Sequence, residues 1–253
     1  MVNTIGLTIL VSLLATAPAA PSNIDLSVPF HTRSPWRFTA IQEAAIADAF
    51  SDPDDKAPGR FTLCLSHDGQ KDCEPTLFHT LGNDTQPWSG PHFLREAEIK
   101  QPEGRPLLLI QSAGLWSGDG DYGIETIAFR YNATEDRFVV AYLHVAEHNR
   151  NGDVRYMVTG PLRGAFISAD ATEDAPYAYW IVVNKIGAGD IYHPVLRYRS
   201  ATRYGDGNPL AVIDSEMPNI EQRLHLWRPS QSLPLPPRPC AKPHLVKGAL
   251  WCQ

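Results

Sequence analysis

The sequence predicts a mainly β (α+β) fold, in which an antiparallel meander forms a sandwich, a barrel or a small propeller and carries two short flanking helices. Segments rich in Val, Ile, Tyr, Phe and Trp recur along the centre of the chain and are separated by turn residues. The 22 prolines and 18 glycines suit short strands joined by turns better than long helices. No helical segment of crossover length interrupts residues 106–200, so a parallel sheet is not expected.

The predicted strands share this composition and are bounded by polar turns such as 132–136 and 149–153. In chain order they are 60–66, 70–78, 106–111, 124–131, 137–145, 153–159, 164–169, 177–186 and 191–199. Their regular spacing favours neighbouring strands that pair with each other along the chain.

The first predicted helix covers residues 40–50. Thr39 and Gln42 have the spacing of a capping box, which marks the start of many helices. The apolar residues that recur at helical spacing are Phe38, Ile41, Ala45 and Ala49.

The second predicted helix begins at Ser215, which we expect to cap it, and has Pro218 in its first turn. Its apolar face consists of Met217, Ile220, Leu224 and Trp227. Five prolines follow in residues 229–239, a density typical of polyproline II. We therefore expect a single mainly β domain over 20–228 and a Pro-rich strap with a disulfide-closed tail over 229–253.

The N-terminus predicts export. Residues 5–15 are apolar, and residues 16–20 contain an A-x-A site, so we expect a signal peptide over 1–19 that is cleaved after Ala19. A run this short does not cross a bilayer, which takes about 20 apolar residues. No Lys or Arg precedes it, and the alternative is a buried N-terminal helix or strand. The expected location is periplasmic or extracellular, with no transmembrane segment in the mature chain.

The four cysteines predict two disulfides, a feature of exported proteins. Cys64 and Cys73 flank an Asp-Gly turn at 68–69, and pairing outward from that turn places them opposite each other. Counting from the turn, they form a non-hydrogen-bonded pair, whose Cα atoms lie about 4.5 Å apart and within disulfide range. Cys240 and Cys252 are expected to close a small C-terminal loop. A zinc site is the alternative, but no C-x2-C spacing occurs.

The net charge of −6 and the absence of a Lys/Arg-rich run exclude a basic footprint for nucleic acid. Hydrophobic residues make up 43% of the chain, enough for a sizeable core and unlike a disordered protein.

The acidic loop at 117–125 is the first candidate site. Asp119, Asp121 and Glu125 provide alternating carboxylates among glycines, which is the ligand type that calcium prefers. The loop resembles the acidic Gly-Asp loops that join strands in calcium-binding β-propeller repeats. Gly123 stands where a third carboxylate is expected, and the EF-hand pattern is not met. The alternative is a polar β-turn with solvated carboxylates.

The segment 144–148 is the second candidate, because it matches the H-x-x-E-H pattern of inverzincin metalloproteases. The resemblance implies that His144 and His148 bind zinc and that Glu147 acts as a base. On a helix the two histidines share one face, whereas on a strand they lie about 13 Å apart. Glu216 or Glu221 would have to provide a third ligand.

The third candidate is a mixture of aromatic and arginine residues near the last strands. Such groups stack on sugars or bind carboxylates, and they equally form cross-strand packing. The mixed set comprises Tyr177, Tyr179, Trp180, Tyr192, Arg197, Tyr198, Arg199, Arg203 and Tyr204.

No nucleophile elbow, Walker loop or dinucleotide-binding loop occurs in the sequence. The leading expectation is a non-catalytic binding or envelope-associated protein with an unknown ligand or envelope partner, without nucleic acid and with calcium as the one candidate cofactor. The alternative is a metal-dependent hydrolase that uses the H-x-x-E-H segment or the acidic loop.

Overall fold

The computed structural model describes residues 23–47, 56–73, 91–115, 122–146, 152–204, 207–226, 244–246 and 249–251. Within these ranges the chain forms three four-stranded antiparallel sheets, two two-stranded sheets and two α-helices. The mainly β, antiparallel prediction is confirmed. The expected leader over 1–19, the Pro-rich run 229–239, and Cys240 and Cys252 lie outside the described residues and stay predictions.

The first sheet is built from the N-terminal part of the described chain. Its elements, together with a short helix and a small ladder, are β1 (Asn23–Asp25), α1 (Ser27–Phe30), β2 (Arg37–Gln42), β3 (Ile46–Ala47), β4 (Lys56–Ala57), β5 (Phe61–His67) and β6 (Gln70–Cys73). The strand order is β1-β2-β5-β6, and β3 pairs with β4 separately. β5 and β6 form the predicted hairpin, in which Cys64 faces Cys73 and the two are joined by a disulfide.

The second sheet is a continuous meander of consecutive strands. They are β7 (Phe93–Lys100), β8 (Leu107–Leu115), β9 (Tyr122–Asn132) and β10 (Arg137–Ala146). β7 corresponds to no predicted strand, because Glu96, Glu98 and Lys100 on alternate positions weaken its apolar pattern. The other three strands extend the predicted segments by a few residues at their ends.

The third sheet is a second meander, followed by the long helix. Its elements are β11 (Asp153–Tyr156), β12 (Phe166–Ala171), β13 (Tyr179–Ile186), β14 (Tyr192–Ser200) and α2 (Pro209–Arg223). A small hairpin, β15 (His244–Val246) and β16 (Ala249–Trp251), packs beside α2. No helix in the described part of the chain has both the length and the apolar character needed to cross a bilayer.

The sheets stack as layers, with the second sheet in the middle. One of its faces packs on the first sheet through a cluster that includes Leu108, Ile110 and Phe129. Its opposite face packs on the third sheet through a cluster that includes Leu109 and Phe166. Because successive strand residues point to opposite faces, residues 107–110 at the centre of this sheet are apolar at every position.

The outer face of the third sheet is covered by α2. Ile181 and Val183 of β13 pack against Val212, Ile213 and Ile220 of the helix, and all five are fully buried. The three apolar layers therefore follow one another through the molecule, and the helix closes the last of them.

The predicted helix over 40–50 is wrong, because residues 37–42 form β2 and residues 46–47 form β3. Phe38 and Ala40 alternate into the core, while Ile41 points outward and is half exposed. Pairing with β1 and β5 outweighs the local capping-box signal. Residues 48–50 lie outside the described ranges.

The second predicted helix is confirmed, but its start is wrong. The side chain of Asn208 accepts hydrogen bonds from the amides of Leu210 and Ala211, and Pro209 occupies the first helical position. Pro218 consequently lies inside the helix rather than in its first turn. The Asn-Pro pair was a sequence signal for this start, upstream of the Ser215 cap.

A buried carboxylate joins α2 to β14. Glu216, which is 1% exposed, accepts hydrogen bonds from the side chains of Tyr198 at 2.7 Å, Ser200 at 2.5 Å, Thr202 at 2.6 Å and Asn219 at 2.9 Å. Burial, followed by the nearby Glu216 charge, raises the pKa of Tyr198 well above its ordinary value, so the phenol remains a donor. Four donors satisfy the buried charge without a paired cation among the described residues.

We expect replacement of Cys64 and Cys73 by serine to lower the free energy of unfolding by about 3 kcal/mol, because the open loop gains chain entropy in the unfolded state. Urea denaturation of the oxidised parent protein and of the double variant measures the difference between their free energies of unfolding. An unchanged midpoint would show that this bridge does not constrain the unfolded chain.

We expect Glu216→Ala to destabilise the protein by about 3 kcal/mol, because it leaves several buried donors without their acceptor. The matched control on the same helix is Gln222→Ala, a half-buried position outside this network. Equal midpoints for the two variants in thermal unfolding would contradict the role of Glu216.

Candidate functional site

The acidic loop is described only at its last candidate ligand. Glu125 lies inside β9, paired with Ser112 on one side and Val145 on the other. It alternates with Ile127 and Phe129, so its side chain faces the interface between the first and second sheets. Asp119 and Asp121 lie outside the described residues, and the calcium site therefore stays a prediction.

Glu125 is an acid in an apolar environment. It is 6% exposed, and burial raises its pKa to about 7. No hydrogen bond joins its carboxyl group to another residue in the described ranges. Near neutral pH the group therefore exchanges a proton readily, a property that buried carboxyl groups of functional sites often have.

His144 lies on a strand, not on a helix. It is paired with Thr126 across β9 and β10, and the strand continues to Ala146. Residues 144–146 are therefore extended, and they do not form the helical turn that would place His144 and His148 on one face. Glu147 and His148 lie outside the described residues, and no group of three metal-ligating side chains occurs within them.

The structure instead pairs His144 with Asp170 of the third sheet. The Nε2 atom of His144 lies 2.9 Å from Oδ1 and 3.1 Å from Oδ2 of Asp170, whose Oδ2 also accepts a hydrogen bond from Ser168 at 3.1 Å. Two buried polar atoms beside this pair, the Tyr142 hydroxyl and His144 Nδ1, have no hydrogen-bond partner among the described residues. The pair therefore joins the second and third sheets at one end of their interface.

This pairing also decides what His144 can do chemically. Its Nε2 is occupied by Asp170, and its Nδ1 is buried. Neither ring nitrogen is presented to a substrate, so the arrangement holds two sheets together and does not favour a hydrolytic base.

Four of the aromatic and arginine residues lie together on β13, β14 and the segment before β13; the two arginines are exposed and the two aromatic rings are half-buried. Trp180 faces Arg199 across the two strands, and Asp170 faces Trp180 from β12. The Arg197 guanidinium carbon lies 4.2 Å from the centroid of the Trp180 ring. Arg199 lies 4.5 Å from the Tyr177 ring and 5.4 Å from the Trp180 ring. We call Tyr177, Trp180, Arg197 and Arg199 the Trp180 surface.

Other members of the mixed set have structural roles. Tyr179 and Tyr198 are buried against α2, and Tyr192 is buried between the second and third sheets. The Tyr204 hydroxyl contacts Ser215, and Arg203 donates to the carbonyl of Tyr177 at 3.1 Å. Tyr179 and Tyr198 thus lie on the face of β13 and β14 opposite to the one that carries Trp180, Arg197 and Arg199.

Sequence reasoning identified the arginines and Trp180 but not Asp170 or Ser168. These two residues lie 26 and 24 positions after His144, and the packing of the third sheet on the second brings them to it. No local spacing in the sequence signals that contact.

The chain matches no protein-family model, no curated protein and no solved structure.

We expect Glu125 to make stability depend on pH. Its folded pKa of about 7 exceeds the ordinary value of 4.5, so the folded state binds the proton more tightly. Its contribution to the free energy of unfolding is fully present below about pH 4.5. That contribution, about 3 kcal/mol, is lost as the pH rises through about 7. Glu125→Gln should abolish this loss, making the variant more stable than the parent at pH 8.

Thermal unfolding between pH 4 and 9 in the presence of a chelator measures this effect. Glu173→Gln, a substitution in an exposed turn, is the control and should leave the profile unchanged. A parent and a Glu125→Gln variant with parallel profiles would show that Glu125 does not titrate in this range.

Proposed function

We propose that this protein is an exported, non-catalytic binding protein that uses the Trp180 surface to bind an anionic polymer carrying repeated carboxylate groups, such as an acidic polysaccharide. The observation that carries the proposal is the exposed pair of guanidinium groups, Arg197 and Arg199, stacked on Trp180. The surface has the chemistry for binding anions and offers no nucleophile.

Charge supports this choice of ligand. The chain carries a net charge of −6, yet this surface presents two arginines side by side. Arg197 has no carboxylate partner in the described residues. Arg199 contacts Asp174 at 3.4 Å, but both groups are exposed, and an exposed pair of this kind exchanges readily with another anion.

Geometry supports it further. Stacking on an aromatic ring fixes the plane of a guanidinium group and leaves its N–H edge free for a bidentate contact with a carboxylate. Arg197 and Arg199 alternate along β14, so their side chains leave one face of the strand about 7 Å apart. A polymer with repeated carboxylates can engage both at once, whereas a single small anion contacts one.

We expect the protein to bind polygalacturonate, and we expect Arg197→Gln/Arg199→Gln to weaken that binding by at least about tenfold through loss of two charge-assisted contacts. Sodium chloride should weaken the parent complex, because screening acts on exposed charges. Titration calorimetry and the intrinsic fluorescence of the chain's six tryptophans, of which Trp180 is one, both report the affinity.

The matched control is Arg37→Gln/Arg60→Gln, which removes the same charge from exposed positions on or beside the first sheet. It should bind like the parent. Equal weakening by the two double variants would show that net charge, not the Trp180 surface, attracts the polymer. Equal binding of neutral dextran by the parent would contradict an anionic ligand.

A further inference from the structure

A second group of charged residues lies at the opposite end of the interface between the second and third sheets. We call Arg105, Arg130, Tyr156, Arg163 and Asp190 the Arg130 cluster. The 3-10 turn Pro102–Gly104 precedes Arg105, and the turn 160–164 carries Arg163.

The two turns touch at Gly164. Gly164 has a φ of +82°, and a Cβ there would lie 3.0 Å from the Cβ of Pro102, so only glycine fits this contact without strain. This close approach brings Arg105 and Arg163 to the same end of the interface.

Arg130 is the buried member of the cluster. It lies on β9, next in alternation to Ala128, and therefore faces the third sheet. The residue is 6% exposed, yet the one hydrogen bond that its side chain makes within the described residues is a 3.4 Å contact from Nη1 to Asp190 Oδ1. A guanidinium group has five N–H donors, and burying it is costly unless they are satisfied. Its packing alone gives no reason for an arginine here.

Asp190 shows where an anionic oxygen fits. Its Oδ1 accepts from Arg105 Nη1 at 2.8 Å and from Arg130 Nη1 at 3.4 Å, so a single oxygen lies between two guanidinium groups. Asp190 itself is half exposed and stands on a turn with a φ of +59°. One carboxylate therefore contacts two arginines from the solvent side and offsets one of their two positive charges.

Arg163 and Tyr156 complete the cluster. Burial raises the pKa of Tyr156 to about 12, while the charges of Arg163 and Arg130 act in the opposite direction, which places both guanidinium groups near the phenol. Arg163 has no ion-pair partner in the described part of the chain. Lys100 also lies near the Tyr156 ring, but it is paired with Glu96 and Glu98, and these three residues, which are outside the cluster, together carry one negative charge. Three arginines against Asp190 leave an excess of two positive charges.

We propose that the Arg130 cluster is a binding site for a doubly charged tetrahedral oxyanion of the phosphate type. Arg130 forms the buried base of the site, Arg105 and Arg163 form its exposed rim, and the Tyr156 hydroxyl donates from the side. The two negative charges of such an ion equal the two excess positive charges of the cluster. The several oxygens of the ion can accept hydrogen bonds from donors that approach from different directions. The site is separate from the Trp180 surface and does not depend on the function proposed for it.

Inorganic phosphate is the probe, with sodium chloride at equal ionic strength and sodium acetate as comparison ions. We expect phosphate, at about one hundred times its dissociation constant, to raise the thermal unfolding midpoint by several degrees. Neither chloride nor acetate should reproduce that rise. Calorimetric titration measures the dissociation constant directly.

Two variants with opposite expected effects test the residues. Arg105→Gln/Arg163→Gln changes only exposed side chains and should weaken phosphate binding at least about fivefold. Asp190→Asn removes the competing internal carboxylate and should tighten binding. Arg37→Gln/Arg60→Gln, which removes the same charge from exposed positions on or beside the first sheet, should leave the dissociation constant unchanged.

Three results would overturn the proposal. The first is an equal midpoint rise in sodium chloride, which would assign the effect to ionic strength. The second is an unchanged phosphate affinity in Arg105→Gln/Arg163→Gln. The third is equal stabilisation by acetate, which would exclude the doubly charged class of ligand.

Discussion

Burial of the second sheet on both faces is the constraint on which the rest of the structure depends. Leu107, Leu108, Leu109 and Ile110 are consecutive and all fully buried, because alternate members face the first and the third sheet. A polar side chain on these strands has no solvated face to point toward. It must be placed at an end of the sheet or find a partner in the neighbouring layer, and this requirement fixes where the molecule carries its charges.

The two ion pairs of the middle sheet follow that rule, and Glu125 is the exception to it. His144 meets Asp170 at one end of the interface with the third sheet, and Arg130 meets Asp190 at the other, with stacked aromatic rings such as Tyr142 and Phe166 between them. Glu125 faces the first sheet without a charged partner among the described residues, and its pKa rises accordingly. The Trp180 surface begins where the third sheet extends beyond the middle one, so its arginines remain in solvent.

Much of this fold could be predicted from local patterns, and the remainder depended on contacts between distant residues. The β5–β6 hairpin and its disulfide followed from the Asp-Gly turn, because strand pairing is counted outward from the turn. The segment 37–42 contains a capping box but pairs with two strands, and that pairing decides its conformation. Charged side chains conceal β7, and the packing of the third sheet on the second brings Asp170 to His144. The candidate arginines were visible in the sequence, whereas the ring on which each stacks was not.

β14 is an edge strand in the described part of the third sheet, and its residues affect whether two copies of the chain can pair along that edge. An open edge offers unpaired amides and carbonyls to the edge of another molecule, which is a route to aggregation. Pro194 lacks an amide proton, the ladder with β13 shifts register at Val183, and Arg197 and Arg199 add charge along the same edge. The two arginines therefore oppose edge-to-edge assembly of two copies of this chain, because their like charges repel each other where two such edges meet.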